Sequence, residues 1–507
     1  MAANRNNGKV IKNRRLKKSR MVCVSAIGFV LALGVVGCAG PSVRPFEGET
    51  LEHWAREDQR RHSSWNADPD PAAQPDRPSE PVRMLPEDAL LEDYLLYAMH
   101  HNPDLEAAFY RWRAALERIP QARALPDPRF SFGVVLDQVE RSAEYMGERY
   151  TLEQMFPWFG KLALSGDMAL TQAHAEAQRF EATRLQLVDR VSRAYFEYAF
   201  QHQAVIIARE NLDLLVRLEA VIRAMLRAGS AGLSDVNRAQ IEIGRLDDQV
   251  RSLEDFLGVA AAELNAALGR PADASLPAVP VGPSEQAVSE LPEYSDDQWL
   301  ALAGQYNPEL AAARHNAEQQ RQGIALAYKN YYPDITVGVE YARNGSARIA
   351  MIDKGGADML SGMVAVNVPI WRNTYDAGVR EARAGLNEAN RQIESLENRL
   401  ETDLKKALYS HRDSLRKLAL YRDTLLPMAR QTLAVTETAY RTGDDGFTDL
   451  IDAQRVLLEF SLAHERAAAD RAQAFTRIQA LVGRLIEGDP TMETPTDGGV
   501  HGPAISP

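Results

Sequence analysis

Cys38 is the side chain whose surroundings most clearly call for covalent chemistry. It follows Val35-Val36-Gly37 at the end of an apolar run that begins at Met21. Ahead of that run stand Arg5, Lys9, Lys12, Arg14, Arg15, Lys17, Lys18 and Arg20, with no acidic residue among them. A basic start, a short apolar stretch and small residues make a secretory signal, and the stretch is too short to span a bilayer comfortably. The cysteine at its end has the form of a bacterial lipoprotein processing site. Cleavage before Cys38 and acylation of its thiol are therefore expected; the alternative is an ordinary signal peptide with an incidental cysteine. Ala39 follows, where an Asp would have pointed to retention at the inner membrane.

Other residues of catalytic or metal-binding type are thin on the ground. Cys23 leaves with the signal, so the mature chain has no disulfide or thiolate site of its own. The histidines are scattered without a His-x-x-x-His pair, His100-His101 reads as a solvated helix face, and the methionines do not gather into a soft-metal site. There is no nucleotide-binding glycine loop. We expect no enzyme, no metal and no cofactor beyond the lipid on Cys38. Removing the leader's eight positive charges takes the formal net charge from -12 to -20. An acidic chain of that kind repels phosphates, which argues against nucleic acid as a partner. No run after the signal approaches the ~18 apolar residues of a membrane helix. If this exported chain enters a bilayer, it does so as a closed β-barrel.

The elements that must carry any function come twice. Asn102-Pro103-Asp104-Leu105 returns as Asn307-Pro308-Glu309-Leu310, and Pro128 with Gly133-Val134 returns as Pro333 with Gly338-Val339. Arg227-Ala228-Gly229-Ser230-Ala231-Gly232 returns as Arg441-Thr442-Gly443-Asp444-Asp445-Gly446, and Gly269-Arg270 as Gly483-Arg484. So long a period marks a duplicated domain rather than a solenoid repeat. The expected organisation is a signal at 1–37, a Pro- and Asp-rich arm at 38–85, repeat one at 86–270, a Pro-rich linker at 271–293, repeat two at 294–486 and a polar tail at 487–507.

Within each repeat the pattern predicts helix, strand, strand, very long helix, turn, helix. Repeat one places the helices at 86–124, 161–228 and 234–268; repeat two places them at 295–331, 373–442 and 448–486, with Pro427 expected to kink or break the long one. Each long helix would run about 100 Å at 1.5 Å per residue, and the two shorter helices end to end would match it. Ile243, Leu246, Val250, Leu253, Leu257, Ala260 and Leu264 alternate spacings of three and four, the period of a coiled-coil seam. The glycines Gly229, Gly232, Gly443 and Gly446 mark the turns between descending and returning helices.

Four short segments instead alternate with period two. Phe130, Phe132, Val134 and Leu136 share a face, as do Tyr150, Leu152 and Phe156, then Ile335, Val337, Val339 and Tyr341, then Leu360, Val364, Val366, Val368 and Ile370. Their partners are small or polar, and Trp158, Phe159, Tyr331, Tyr332 and Trp371 cluster at the ends as an interfacial girdle would. A half-buried sheet in a soluble domain also alternates. Four strands cannot close a barrel, so in a membrane other copies of the chain must complete it.

Taken together, the duplicated Asn-Pro starts, Phe156-Pro157-Trp158-Phe159-Gly160-Lys161, Val368-Pro369-Ile370-Trp371 and Tyr440-Arg441-Thr442-Gly443 through Phe447 to Gln454 resemble the TolC-type outer-membrane efflux factor family over residues 86–486. The resemblance implies a mainly α protein with a small transmembrane β-barrel contribution. Specifically, it implies a homotrimer with a twelve-stranded barrel, four strands per protomer, above a long periplasmic α-helical barrel. It further implies an exit duct in the outer membrane, docked through its helix tips to a periplasmic adaptor and an inner-membrane pump of the resistance-nodulation-division type. The stretch from Phe156 to Lys161 is similar to that of members paired with heavy-metal exporters.

In that family, acidic residues near the helix tips line the narrowest part of the duct, and Asp449 and Asp452 fall on those positions, with Asp235 as the first-repeat counterpart of Asp449. Three copies would stack rings of carboxylates that attract cations. Thr448 also reads as a helix N-cap, and an Asp in the first turn complements the helix dipole, so these residues have a purely structural use as well. Repeat one carries Arg238 where repeat two has Asp452, and Asp445 stands where some members have a basic tip contact. The alternatives are a duct for type I protein secretion or, in another class, a lipid-anchored structural or adaptor coiled coil without a pore.

Overall fold

The computed structural model describes residues 85–86, 88–134, 145–277, 291–345, 358–442, 444 and 446–484. Cys38, the arm before residue 85, most of the linker, Leu136, Gly443, Asp445 and the tail lie outside the described residues.

The helices of repeat one are α1 (Leu91–His101), α2 (Pro103–Arg123), α3 (Lys161–Arg227) and α4 (Leu233–Leu268), with strands β1 (Arg129–Val134) and β2 (Tyr145–Phe156) after α2. Repeat two gives α5 (Asp296–Tyr306), α6 (Pro308–Lys329), β3 (Ile335–Gly345), β4 (Met359–Val366), α7 (Arg372–Leu420), a π-turn (Tyr421–Leu425), α8 (Leu426–Thr442) and α9 (Phe447–Val482). At 67 residues α3 is on the order of 100 Å long. It packs against α2 and α6 towards the strands and against α4 and α9 towards the tips. Serving several partners, it has apolar residues on several faces rather than one stripe.

Two corrections concern helix continuity. The spans 86–124 and 295–331 each hold two helices, because Asn102 and Asn307 interrupt them. A residue before proline is pushed to extended backbone, and both asparagines adopt it, with ψ of 122° and 118°. Each then caps the helix that its proline begins. Asn102 accepts from the amides of Asp104 and Leu105, and Asn307 from that of Leu310. Their Nδ2 groups donate to the carbonyls of Ala267 and Leu481, at 3.0 and 2.9 Å, on the last turns of α4 and α9. The helices that end there finish on Gly269 and Gly483 in the left-handed region. A Cβ on Gly483 would lie 2.3 Å from the Tyr306 carbonyl oxygen. The duplicated Asn-Pro and Gly-Arg landmarks are thus partners in space.

Pro427, in contrast, does not break its helix. The turn before it widens to a π-turn, with the Leu426 amide donating to the Tyr421 carbonyl. This loosens the coil where the proline ring would otherwise press on the carbonyl four residues back.

The strands form one antiparallel sheet in the order β1-β2-β3-β4. Phe132 faces Tyr150, Tyr150 faces Tyr341 and Tyr341 faces Leu360; Phe130, Leu152 and Val339 form the next rung. Residues opposite one another share a face, so the register gathers the apolar set of all four strands on one side. That side is bare: Phe130 is 65% exposed, Leu360 73% and Val364 70%. The other side carries Ser131, Thr151, Glu340 and Ser361, with Arg149 3.4 Å from Glu340. Val368 and Ile370 lie past the end of β4.

Below the sheet, Asp334 ties the strands to the helices. It accepts from the Trp158 amide and the Lys161 ammonium, both at 2.7 Å, and its own amide donates to Asn367. Trp158 stacks on Tyr332 with ring centres 5.4 Å apart.

The seam from Ile243 to Leu264 faces inward along its whole length. Replacing Asn102 by Ala should strand two cap amides and a helix-end carbonyl, and replacing Asn307 by Ala one cap amide and a helix-end carbonyl, at a cost of about 1–3 kcal/mol each. Thermal unfolding of the purified protein should show a lower midpoint for each variant and a larger drop for the double variant.

Candidate functional site: the helix-tip mouth

Each hairpin end is built from ordinary turn chemistry. At the end of α3, Gly229 has φ of +79°, and its amide and that of Ser230 donate to the carbonyls of Leu226 and Met225. The return helices begin one residue earlier than the sequence suggests, at Leu233 and Phe447, with Gly232 and Gly446 as N-caps. Thr448 is therefore not the cap. It sits in the first turn of α9, and its hydroxyl accepts from Arg238 Nη1 at 2.8 Å.

Asp235 and Asp449 do the capping from the third helical position. Each carboxylate accepts from the amide of its own glycine, Gly232 or Gly446, at 3.2 Å. Both sit at the positive end of a helix dipole and complement it. Asp452 makes no cap. It is 62% exposed, and its nearest cation is Arg455 Nη1 at 3.6 Å.

Beneath these polar groups the two hairpins share a core. Leu218 and Ile222 of α3 and Val236 and Ala239 of α4 pack with Leu450 and Ile451 of α9. Helical spacing then turns Asp449 and Asp452 outward, and both are exposed. The structure thus brings Asp235, Asp449, Asp452 and the glycines Gly229, Gly232 and Gly446 to one end of the molecule.

Two residues that sequence reasoning missed join the hairpins. Glu242 of α4 is nearly buried and accepts two hydrogen bonds from Arg455 of α9, from Nε at 2.9 Å and Nη2 at 2.5 Å. A paired, planar contact of this type holds orientation as well as charge. No repeat signal could have shown it, because the two residues do not occupy matching positions in the two repeats. Arg455 thereby links the first hairpin to the helix that carries Asp452. Its hydrogen bonds hold the Glu242 carboxyl below its ordinary value. The bridge is therefore at full strength above the usual glutamate range and is lost only as the pH falls through the depressed value.

A bare apolar sheet face, helices on the order of 100 Å long and a tip of paired hairpins define an outer-membrane channel of the helical-barrel type. The sequence profile of the outer membrane efflux protein family matches residues 97–270 and 299–484. The chain belongs to this family, and it is an outer-membrane efflux channel. It is 24% identical to the outer membrane protein TolC of Vibrio cholerae, over 77% of this chain and 90% of that one. It is 22% identical to the cobalt-zinc-cadmium resistance protein CzcC of Cupriavidus metallidurans, over 81% and 95%. The solved structure of CusC, a protein that forms a transmembrane channel, superposes with a TM-score of 0.66 at 17% identity, covering 78% of this chain and 92% of that one.

Glu242→Gln weakens the tie between hairpins without adding bulk. Planar-bilayer recordings should show a several-fold larger share of time in high-conductance states than wild type at neutral pH. Indistinguishable recordings would mean that the hairpins are held elsewhere.

Proposed function

We propose that this chain forms a homotrimeric exit duct, held to the outer membrane by a lipid on Cys38 as well as by its strands. The observation that carries the trimer is the open sheet. The outer edges of β1 and β4 have no partner among the described strands, and unpaired backbone groups are not tolerated in hydrocarbon. Two copies would give an eight-stranded barrel, whose interior is filled by its own side chains. Three copies give twelve strands and a lumen. The protomer flanks support the same assembly: Ile241 on α4 and Met428 on α8 are 70% and 60% exposed, as residues awaiting a neighbour would be.

The duct has no energy source of its own. It passes cargo passively, and a periplasmic adaptor joins it to an inner-membrane pump of the resistance-nodulation-division type. The tips around Gly229, Gly232, Gly443 and Gly446 are the docking surface for that adaptor. Small molecules or metal ions are the cargo; the likeness to CzcC supports metal ions. Asp449 and Asp452 act as the gate. In the trimer they form stacked rings of carboxylates at the narrowest point, where they attract cations and repel one another. Asp449 caps its helix and faces the aperture at the same time, and Asp235 of repeat one adds to the same field.

Replacing Asp449 and Asp452 together by Ala should change single-channel conductance and weaken block by multivalent cations at least tenfold; unchanged block would remove the gate assignment. Cys38→Ala should abolish incorporation of radiolabelled fatty acid, and persisting label would show that the anchor lies elsewhere.

A further inference from the structure

Two histidines far apart in the chain meet across the contact between α3 and α6. The ring centres of His174 and His315 lie 5.7 Å apart, with their planes 27° from parallel. His174 is exposed and His315 half-buried, so the pair opens to solvent. No protein group among the described residues hydrogen-bonds to either ring. The guanidinium groups nearest in sequence are committed to other partners: Arg179 to Glu176, Arg314 to the Gly304 carbonyl and Arg321 to Glu318. Burial, then the neighbouring His174, push the His315 imidazole below its ordinary value. A neutral imidazole keeps the lone pair that a metal needs.

The spacing suits a shared ion. With a metal bound at about 2.0–2.1 Å from an imidazole nitrogen, each ring centre lies roughly 3.2 Å from the metal, and two rings on one tetrahedral ion are about 5.2 Å apart. The observed rings stack 5.7 Å apart, so both must turn about their side-chain bonds for one nitrogen of each to face the same ion. Among the described residues no group of three His, Cys, Asp or Glu side chains could hold a metal. Water must therefore fill the remaining positions, which makes the site open and exchangeable rather than structural. Imidazole selects zinc, nickel and copper over magnesium and calcium, which prefer oxygen.

We infer that His174 and His315 form a two-imidazole site for a late first-row divalent ion, one per protomer, bridging α3 and α6. A labile site of this type fits an ion in passage. That role rests on the duct reading and its metal cargo, whereas binding itself does not.

The test uses the full-length, untagged protein in detergent, stripped with a chelator and dialysed against zinc chloride. Elemental analysis should find one chelator-sensitive zinc per protomer, with affinity at least tenfold weaker in His174→Asn and in His315→Asn. Nickel and copper should compete and magnesium should not. In wild type, zinc should protect these two histidines, and not His202, from diethylpyrocarbonate; this readout needs no variant to fold. Equal zinc affinity in wild type and both variants overturns the assignment, as does protection that falls elsewhere. Either failure leaves the duct reading intact, since that is read from conductance.

Discussion

Hydrocarbon offers no partner to a backbone amide. The four strands satisfy one another through three antiparallel pairings, yet the first and last each keep an outer row of N–H and C=O groups without a partner among the described strands. The apolar face beside those edges is largely bare. A soluble sheet would bury that face, and a membrane sheet must close its edges. Both demands are met when identical protomers are joined edge to edge, and the length and placement of the helices follow from supporting such a ring. An eight-residue β4 is short for an independent membrane segment and gains stability from its neighbours.

Beneath the sheet, the helical wall is stiffened at places where the chain changes direction. Asp334 gathers the start of α3, the start of β3 and the end of β4 into one set of hydrogen bonds. Midway down, Asn102 and Asn307 cap one helix while fastening the end of another. At the tip, by comparison, the ties are few and polar: Arg238 to Thr448 and Arg455 to Glu242, over a small apolar core. Polar contacts of that sort can be exchanged for water or for a partner's side chains at small cost. Rigidity above and exchangeable contacts below suit a duct whose movement is confined to its mouth.

Much of this was legible in the sequence, and the limits have physical causes. Period-two alternation named the lipid face correctly, because side-chain direction along a strand is a local property. The seam on α4 was equally plain, since a narrow apolar stripe at three-four spacing has few other uses. Helix continuity was read less well. Asn-Pro served as a repeat landmark, yet its local effect, an extended residue and a fresh cap, was overlooked; of the kink or break expected at Pro427, the break does not occur, because a π-turn keeps the helix continuous. A dipole-complementing Asp in the first turn beside Thr448 is legible in the sequence, whereas the caps that Asp235 and Asp449 make, and Gly446 rather than Thr448 as the N-cap, are not.

What each short segment does was already written in the chain: which residues turn it, which face is greasy, and that one copy cannot close a barrel. These follow from nearest-neighbour geometry and from the fixed periods of helix and strand. Which distant residues meet was settled by the packing of the folded chain. Glu242 with Arg455, Asp334 with Lys161, and His174 with His315 come from opposite repeats or separate helices. Such pairings depend on the relative rotation of helices on the order of 100 Å long, where a small difference in supercoil moves a side chain to another neighbour. A linear string does not contain that angle.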